Sequence, residues 1–315
     1  MAVNPEEMEV RQDVVRRETA ETSSYEAGAA IRQSSLWRDA WQRFSHNKAA
    51  VISMVAFVLL VIYVVITPWV VPYDPNNVDF SSAYLTPTWS HPFGTDEFGR
   101  DLFLRTALGG RISIGIGFAA TFAIMVIGIA YGAISGFAGG WLDNAMMRFL
   151  DALYGLPYLP FAIITLAIFG TVNFWTMVVS LTIASWLTTA RVMRGQIITL
   201  KENDYVRSAR AIGARWYRIL FRHLLPNTLG VVIVFVFLEL PNVVLGEAFL
   251  SFLGLGINPP KASWGSLAQD GYQQYLSHPH IIVIPSVAIA WLILSAFFIA
   301  DGLRDALDPR TREAA

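Results

Sequence analysis

The sequence predicts an all-α polytopic membrane protein with six transmembrane helices and both termini in the cytoplasm. Three observations lead there. Of 315 residues, 54% are hydrophobic and only 15% charged, where a soluble domain carries about a quarter, and the mean hydropathy is +0.47. The apolar residues gather into six uncharged runs near the roughly 20 residues that cross a ~30 Å hydrocarbon core at ~1.5 Å each. The positive charges are segregated: 19 of the 23 Lys and Arg lie in segments on the N-terminal side of the membrane, and such a bias marks the cytoplasmic face.

Residues 1–35 hold Glu6, Glu7, Glu9, Arg11, Arg16, Arg17, Glu18 and Glu21 without an apolar period, the composition of a disordered cytoplasmic tail. No apolar stretch follows the early arginines as a signal peptide requires. In 36–48, Leu36, Trp37, Ala40, Trp41 and Phe44 recur at helical spacing, with Arg38, Asp39, Gln42 and Arg43 filling the other side. Tryptophans beside arginines fit an amphipathic helix in the headgroup layer.

The six spans are expected at 49–71, 112–137, 152–170, 174–190, 228–255 and 281–300. The fourth is short, with Thr182, Ser185, Thr188 and Thr189 softening it, and Pro241 should kink the fifth. The four positive charges on the far side are Arg100, Arg105, Arg111 and Lys261. Two connections exceed mere links: the extracytoplasmic loop 72–111 and the cytoplasmic loop 191–227, which lies within the five-helix core 112–300. A short cytoplasmic tail, 301–315, closes the chain. Long loops in a tight architecture usually carry function.

Several chemistries are excluded. There is no cysteine, hence no disulfide or thiolate site. Lys48, Lys201 and Lys261 are each followed by residues other than Ser or Thr, so no phosphate-binding loop exists. No H-E-x-x-H or G-x-S-x-G sequence occurs. A net charge of −1 gives no field to recruit nucleic acid. No catalytic residue and no metal site is assigned, and no cofactor is expected on this chain.

Four features are candidates for function. In 204–222, Tyr205, Val206, Ala209, Ile212, Trp216 and Leu220 form an apolar stripe beside Arg207, Arg210, Arg218 and Arg222, with Asp204 placed to cap. Gly213 breaks the pattern and predicts a turn between two short helices, an arrangement suited to docking a cytoplasmic partner. Glu239 and Glu247 lie in the fifth span, where an ionised group costs at least ~2.5–3.5 kcal/mol unless paired or wet. They read equally as a polar wall of a translocation path or as structural hydrogen-bonding groups. Gly128, Gly132, Gly136 and Gly140 put small residues on one helix side, allowing close approach within the subunit or across a boundary. His278 and His280 flank Pro279 without an evident third metal ligand and read as a loop feature. Trp69, Trp89, Trp175 and Trp264 fall near span ends as interface anchors.

The stretch Asp204-Tyr-Val-Arg-Ser-Ala-Arg-Ala-Ile-Gly-Ala214, with Arg218-Ile-Leu-Phe-Arg-His-Leu-Leu-Pro-Asn227 after it, resembles the EAA-type loop of binding-protein-dependent ABC importers. His91-Pro-Phe-Gly-Thr-Asp-Glu-Phe-Gly-Arg-Asp101, carrying Gly94, Thr95, Asp96, Gly99, Arg100 and Asp101, is similar to the dipeptide/oligopeptide/nickel permease group. So are Gly254-Leu-Gly-Ile-Asn-Pro-Pro260 with Ser263-Trp-Gly265, and Asp301-Gly-Leu-Arg-Asp-Ala-Leu-Asp-Pro-Arg310. The arrangement ahead of the second motif matches the C-type subunit. The resemblance implies a type I importer permease fold in a bacterial inner membrane. It further implies a heterodimer with a homologous permease, two cytoplasmic ATPase subunits holding ATP and Mg, and an extracytoplasmic solute-binding protein. Tyr205, Arg207, Ala209, Arg210, Ile212, Gly213 and Trp216 would meet an ATPase subunit. Arg207 departs from the family pattern, standing where the usual motif has glutamate.

Short peptides are the expected cargo, with nickel chelates, glutathione or haem as alternatives within the same architecture. An ion-coupled secondary transporter would show internal repeats and intramembrane charge pairs, and neither is evident. An intramembrane enzyme would need clustered polar groups at one depth, yet all five histidines fall outside the expected spans.

Overall fold

The structure, a computed structural model, describes residues 36–72 and 74–307. The tail expected at 1–35 and the end of the one expected at 301–315 lie outside them. The chain divides into two units, Met1–Gln42 and Arg43–Ala315. In the first, the described residues begin helix α1 (Leu36–His46), with the helical spacing read from 36–48, and Trp41 is exposed.

The second unit is helical throughout its regular elements. After α1 come α2 (Lys48–Val70), α3 (Leu102–Ala138), α4 (Gly140–Tyr154), α5 (Tyr158–Phe169) and α6 (Phe174–Lys201). The short helices α7 (Asp204–Ala211) and α8 (Trp216–Ile219) follow. A π segment, Leu220–Leu224, joins α8 to α9 (Leu225–Leu250), and a second one, Ser251–Leu255, ends it. Last are α10 (Trp264–Tyr272) and α11 (His280–Leu307). Among the described residues, five helical stretches are long and apolar enough to cross a membrane, and α4 with α5 makes a sixth if that pair, bent by 90°, counts as one span.

Two spans extend past the charged residues expected to bound them. The second span starts at Leu102, not near 112, because Asp101 caps it by accepting from Leu104 N at 2.7 Å. Arg111 then sits inside the helix and donates from Nε to the Val64 carbonyl at 3.1 Å. That carbonyl is the one Pro68, lacking an N–H, leaves without its helical donor. The fourth span continues to Lys201 rather than 190. Arg194 binds both carboxylate oxygens of Asp143 at 2.6 Å, and Lys201 Nζ reaches the Gly136 and Phe137 carbonyls at 3.2 Å. These are the last carbonyls of α3, which a cation at a helix C-terminus satisfies. Pro241 lies inside α9 without ending it.

α3 and α6 form the most extensive helix pair. Gly128, Gly132 and Gly136 make it possible: a Cβ at Gly132 would collide with the Ala190 carbonyl and Arg194 N, and one at Gly128 with Thr189. The close approach is therefore within this subunit. Gly140 does not share it, having φ +60° and open space around it. One apolar cluster unites Leu60 and Val64 of α2, Val244 of α9, Trp264 of α10 and Leu292 of α11. A second joins Ile124 of α3, Leu166 of α5, Leu181 of α6 and Leu250 of α9. Trp264 is fully buried, its Nε1 donating to the Thr106 carbonyl at 2.8 Å, so it is a core residue rather than an interface anchor. Trp69, Trp89 and Trp175 are exposed.

Candidate functional site

Three arrangements place the residues singled out above. The first is the 91–101 motif, which folds the loop ahead of α3. Asp96 accepts from Phe98 N and Arg100 N at 2.9 Å and from Arg100 Nε at 2.7 Å, and its carboxylate lies 3.4 Å from buried Arg105. Asp101, besides capping α3, holds His91 Nδ1 at 2.8 Å. Thr95 receives Leu85 N and donates to the Ser82 carbonyl. Gly94 and Gly99 have φ of +76° and +73°, and side chains there would strike the Leu85 and Asp79 carbonyls. Thr95, Asp96 and Asp101 thus serve local backbone groups, and Arg100 pairs with Asp96. Arg105 also faces Asp270 of α10 at 3.9 Å. Burial raises the Asp270 pKa above the usual carboxylate range, and Arg105 opposes that shift.

The two acids of α9 separate. Glu247 is 0% exposed and accepts from Ser113 Oγ at 2.8 Å and Ser251 Oγ at 2.7 Å. Ser113 Oγ in turn receives Trp264 N at 3.1 Å. The carboxyl ties α3, α9 and the start of α10 together. Glu239, two turns earlier, opens instead onto a cavity of about 540 Å³.

That cavity is framed by the broken pair α4–α5, by α6 and by α9. The break falls at Gly155-Leu-Pro157, and α5 begins with no side-chain cap. Tyr154 bonds Thr188 Oγ1 at 2.6 Å and carries the Arg191 guanidinium over its ring at 4.3 Å. Tyr158, Ser185 and Asn242 complete the polar part of a largely apolar wall. Tyr154, Tyr158 and Asn242 escaped the sequence reading, although Gly155, Pro157 and Pro160 inside one apolar run were a signal of a broken helix.

The third arrangement is 204–224. α7 starts at Asp204 with Asn203 in the cap position, so Asp204 occupies the first turn rather than the cap. Gly213 turns the chain with φ +80° in open space, a backbone state glycine adopts freely. Val206, Ala209, Ile219, Leu220 and Leu224 are buried against Ala133 and Ile197. Ala209 is only 7% exposed, while Ile212 is 86% and Trp216 62% exposed. The stripe therefore splits: Ala209 faces inward, and Ile212 and Trp216, with Tyr205, Tyr217 and Phe221, face out. Arg207 pairs with Glu202 at 3.2 Å, both well exposed, and Arg210 is exposed beside it. The result is an apolar knob on a short, firmly seated element.

Family models and sequence relatives identify the family of this chain. Residues 128–313 match the family model described as binding-protein-dependent transport system inner membrane component. Residues 35–87 match that of the N-terminal TM domain of oligopeptide transport permease C. The chain is 42% identical over 280 residues to the oligopeptide transport system permease protein OppC of Haemophilus influenzae, covering 88% of this chain and 90% of that one. It is 40% identical over 289 residues to the dipeptide transport system permease protein DppC of Bacillus subtilis, covering 91% and 90%. A solved structure of the inward-facing MetNI methionine ABC transporter aligns with a TM-score of 0.48 and 19% identity, over 62% of this chain and 94% of that one. With its several apolar helices and these matches, the chain belongs to the multi-pass inner-membrane permease subunits of binding-protein-dependent ABC importers.

Proposed function

We propose that this permease imports short peptides, and that the 204–222 element transmits the work of ATP hydrolysis on two cytoplasmic ATPase subunits. The observation that carries the coupling role is the outward knob of Ile212, Trp216 and Phe221 on a base of buried Val206, Ala209 and Leu220. An exposed apolar cluster of this kind fits a groove on a partner, and the seated base passes its displacement to α3 and α6 rather than absorbing it. The peptide cargo rests on the OppC and DppC relatives. A homologous permease completes the path, a solute-binding protein delivers cargo from outside, and ATP and Mg are bound by the partner ATPase chains. Both termini and the 204–222 element lie in the cytoplasm, in accord with the charge bias.

Gly213→Trp tests the coupling. At φ +80° a side chain strains the turn by roughly 1–2 kcal/mol, and an indole would stand beside the knob. The variant should remain in the membrane yet lose peptide-stimulated ATP hydrolysis and uptake in the assembled transporter. Normal uptake would remove the element from the mechanism.

A further inference from the structure

We propose that Glu239 makes the cavity charge-selective, favouring cationic over anionic peptides in passage. The inference rests on the peptide-import reading above and adds to it a preference set by this chain itself.

The break between α4 and α5 puts Gly155–Pro157 outside any helix, with the Gly155 and Leu156 N–H groups turned back to the Leu153 carbonyl and the Pro157 carbonyl accepting from Phe161 N. Irregular backbone at membrane depth survives only where protein buries it or water reaches it. Here Leu156 of the break borders the 540 Å³ cavity, whose lining also includes Tyr154, Tyr158, Ser185 and Thr188. The cavity is thus a place where water and a polar cargo are tolerated.

Glu239 is the only acid in this lining, and no Lys, Arg or His accompanies it. Its hydrogen-bonding neighbour is Asn242, which is neutral, and no ion pair reaches it among the described residues. Glu247, by contrast, is spent on Ser113 and Ser251 and faces no space. A lone carboxylate at the edge of a low-dielectric wall acts on the net charge of a passing molecule, attracting cations and repelling anions more strongly than in water. The apolar remainder, including Leu245 and Phe249, makes no such distinction and tolerates varied side chains.

The test uses the complete transporter with its ATPase subunits and solute-binding protein in proteoliposomes, and three tripeptides: Ala-Lys-Ala, Ala-Ala-Ala and Ala-Glu-Ala. The same binding protein serves every variant, so its own preference cancels in the comparison. Glu239→Gln should lower the ratio of Lys-peptide to Glu-peptide uptake about tenfold, and Glu239→Asp should hold the wild-type ratio within about twofold. An unchanged ratio in Glu239→Gln overturns the proposal, as does an equal fall for all three peptides or failure of the variant to assemble, either of which makes the acid structural. Wild-type transporter that takes up none of the three overturns the peptide reading itself.

Discussion

Ser113 Oγ donates to Glu247 Oε2 at 2.8 Å, across 134 positions of sequence, while accepting Trp264 N at 3.1 Å. One hydroxyl therefore links three helices, and the buried carboxyl it serves is held by hydrogen bonds rather than by a base. Ser113→Ala should cost about 1–3 kcal/mol, since it strands a donor and an acceptor in the interior. Thermal unfolding in detergent measures it. Glu247→Gln, which keeps hydrogen-bonding capacity, should cost less than Glu247→Ala. The Ser113→Ala/Glu247→Ala pair should be non-additive.

Gly132 and Gly195 make a matched contrast on the α3–α6 pair. A methyl at Gly132 meets the Ala190 carbonyl, whereas one at Gly195 meets nothing within 4 Å. Gly132→Ala should destabilise by about 1–3 kcal/mol through overpacking. Gly195→Ala should be neutral or stabilise by up to ~1 kcal/mol through helix propensity. Melting temperatures of the two purified variants decide it, and equal values would mean that the close approach is not a packing requirement.

The absence of native cysteine makes the orientation easy to check. Asn77, Ser277 and Ser208 are all exposed, so accessibility to reagent depends on the side of the membrane. Single cysteines at Asn77 and Ser277 should react with an impermeant thiol reagent in intact cells, and one at Ser208 should react only after permeabilisation. Labelling of Ser208 from outside would invert the topology.

Much of this architecture was legible because spans announce themselves by length and apolarity, and the α3 glycines by their four-residue spacing. What was hidden has physical causes. Arg105, Arg111, Arg191 and Arg194 read as loop or span ends, yet Asp96, the Val64 carbonyl, Asp151 and Asp143 receive them. Asp96 stands nine residues before Arg105, but the other three partners lie 40, 47 and 51 residues away, and no local pattern shows them. The bend of α4 on α5 was masked because composition alone treats Gly155 and Pro157 as part of an apolar run. In 204–222 the apolar period ran through Ala209, Ile212 and Trp216 as one stripe. α7 ends at Ala211, before Gly213 turns the chain with a positive φ, so Ile212 and Trp216 leave the helical register that buries Ala209. The two acids of α9 were equivalent in sequence, and only packing distinguished the buried Glu247 from the cavity-facing Glu239.

ATPase subunits should meet this chain at the outward knob of 204–222. The most direct measurement is site-specific photo-crosslinking in the assembled, ATP-hydrolysing transporter, with a benzophenone amino acid replacing Ile212 or Trp216. Trp175 serves as an equally exposed control at the start of α6. Adducts with the ATPase subunit from positions 212 and 216, and none from 175, are the predicted result. No ATPase adduct from 212 or 216, or one of equal yield from 175, would contradict the account.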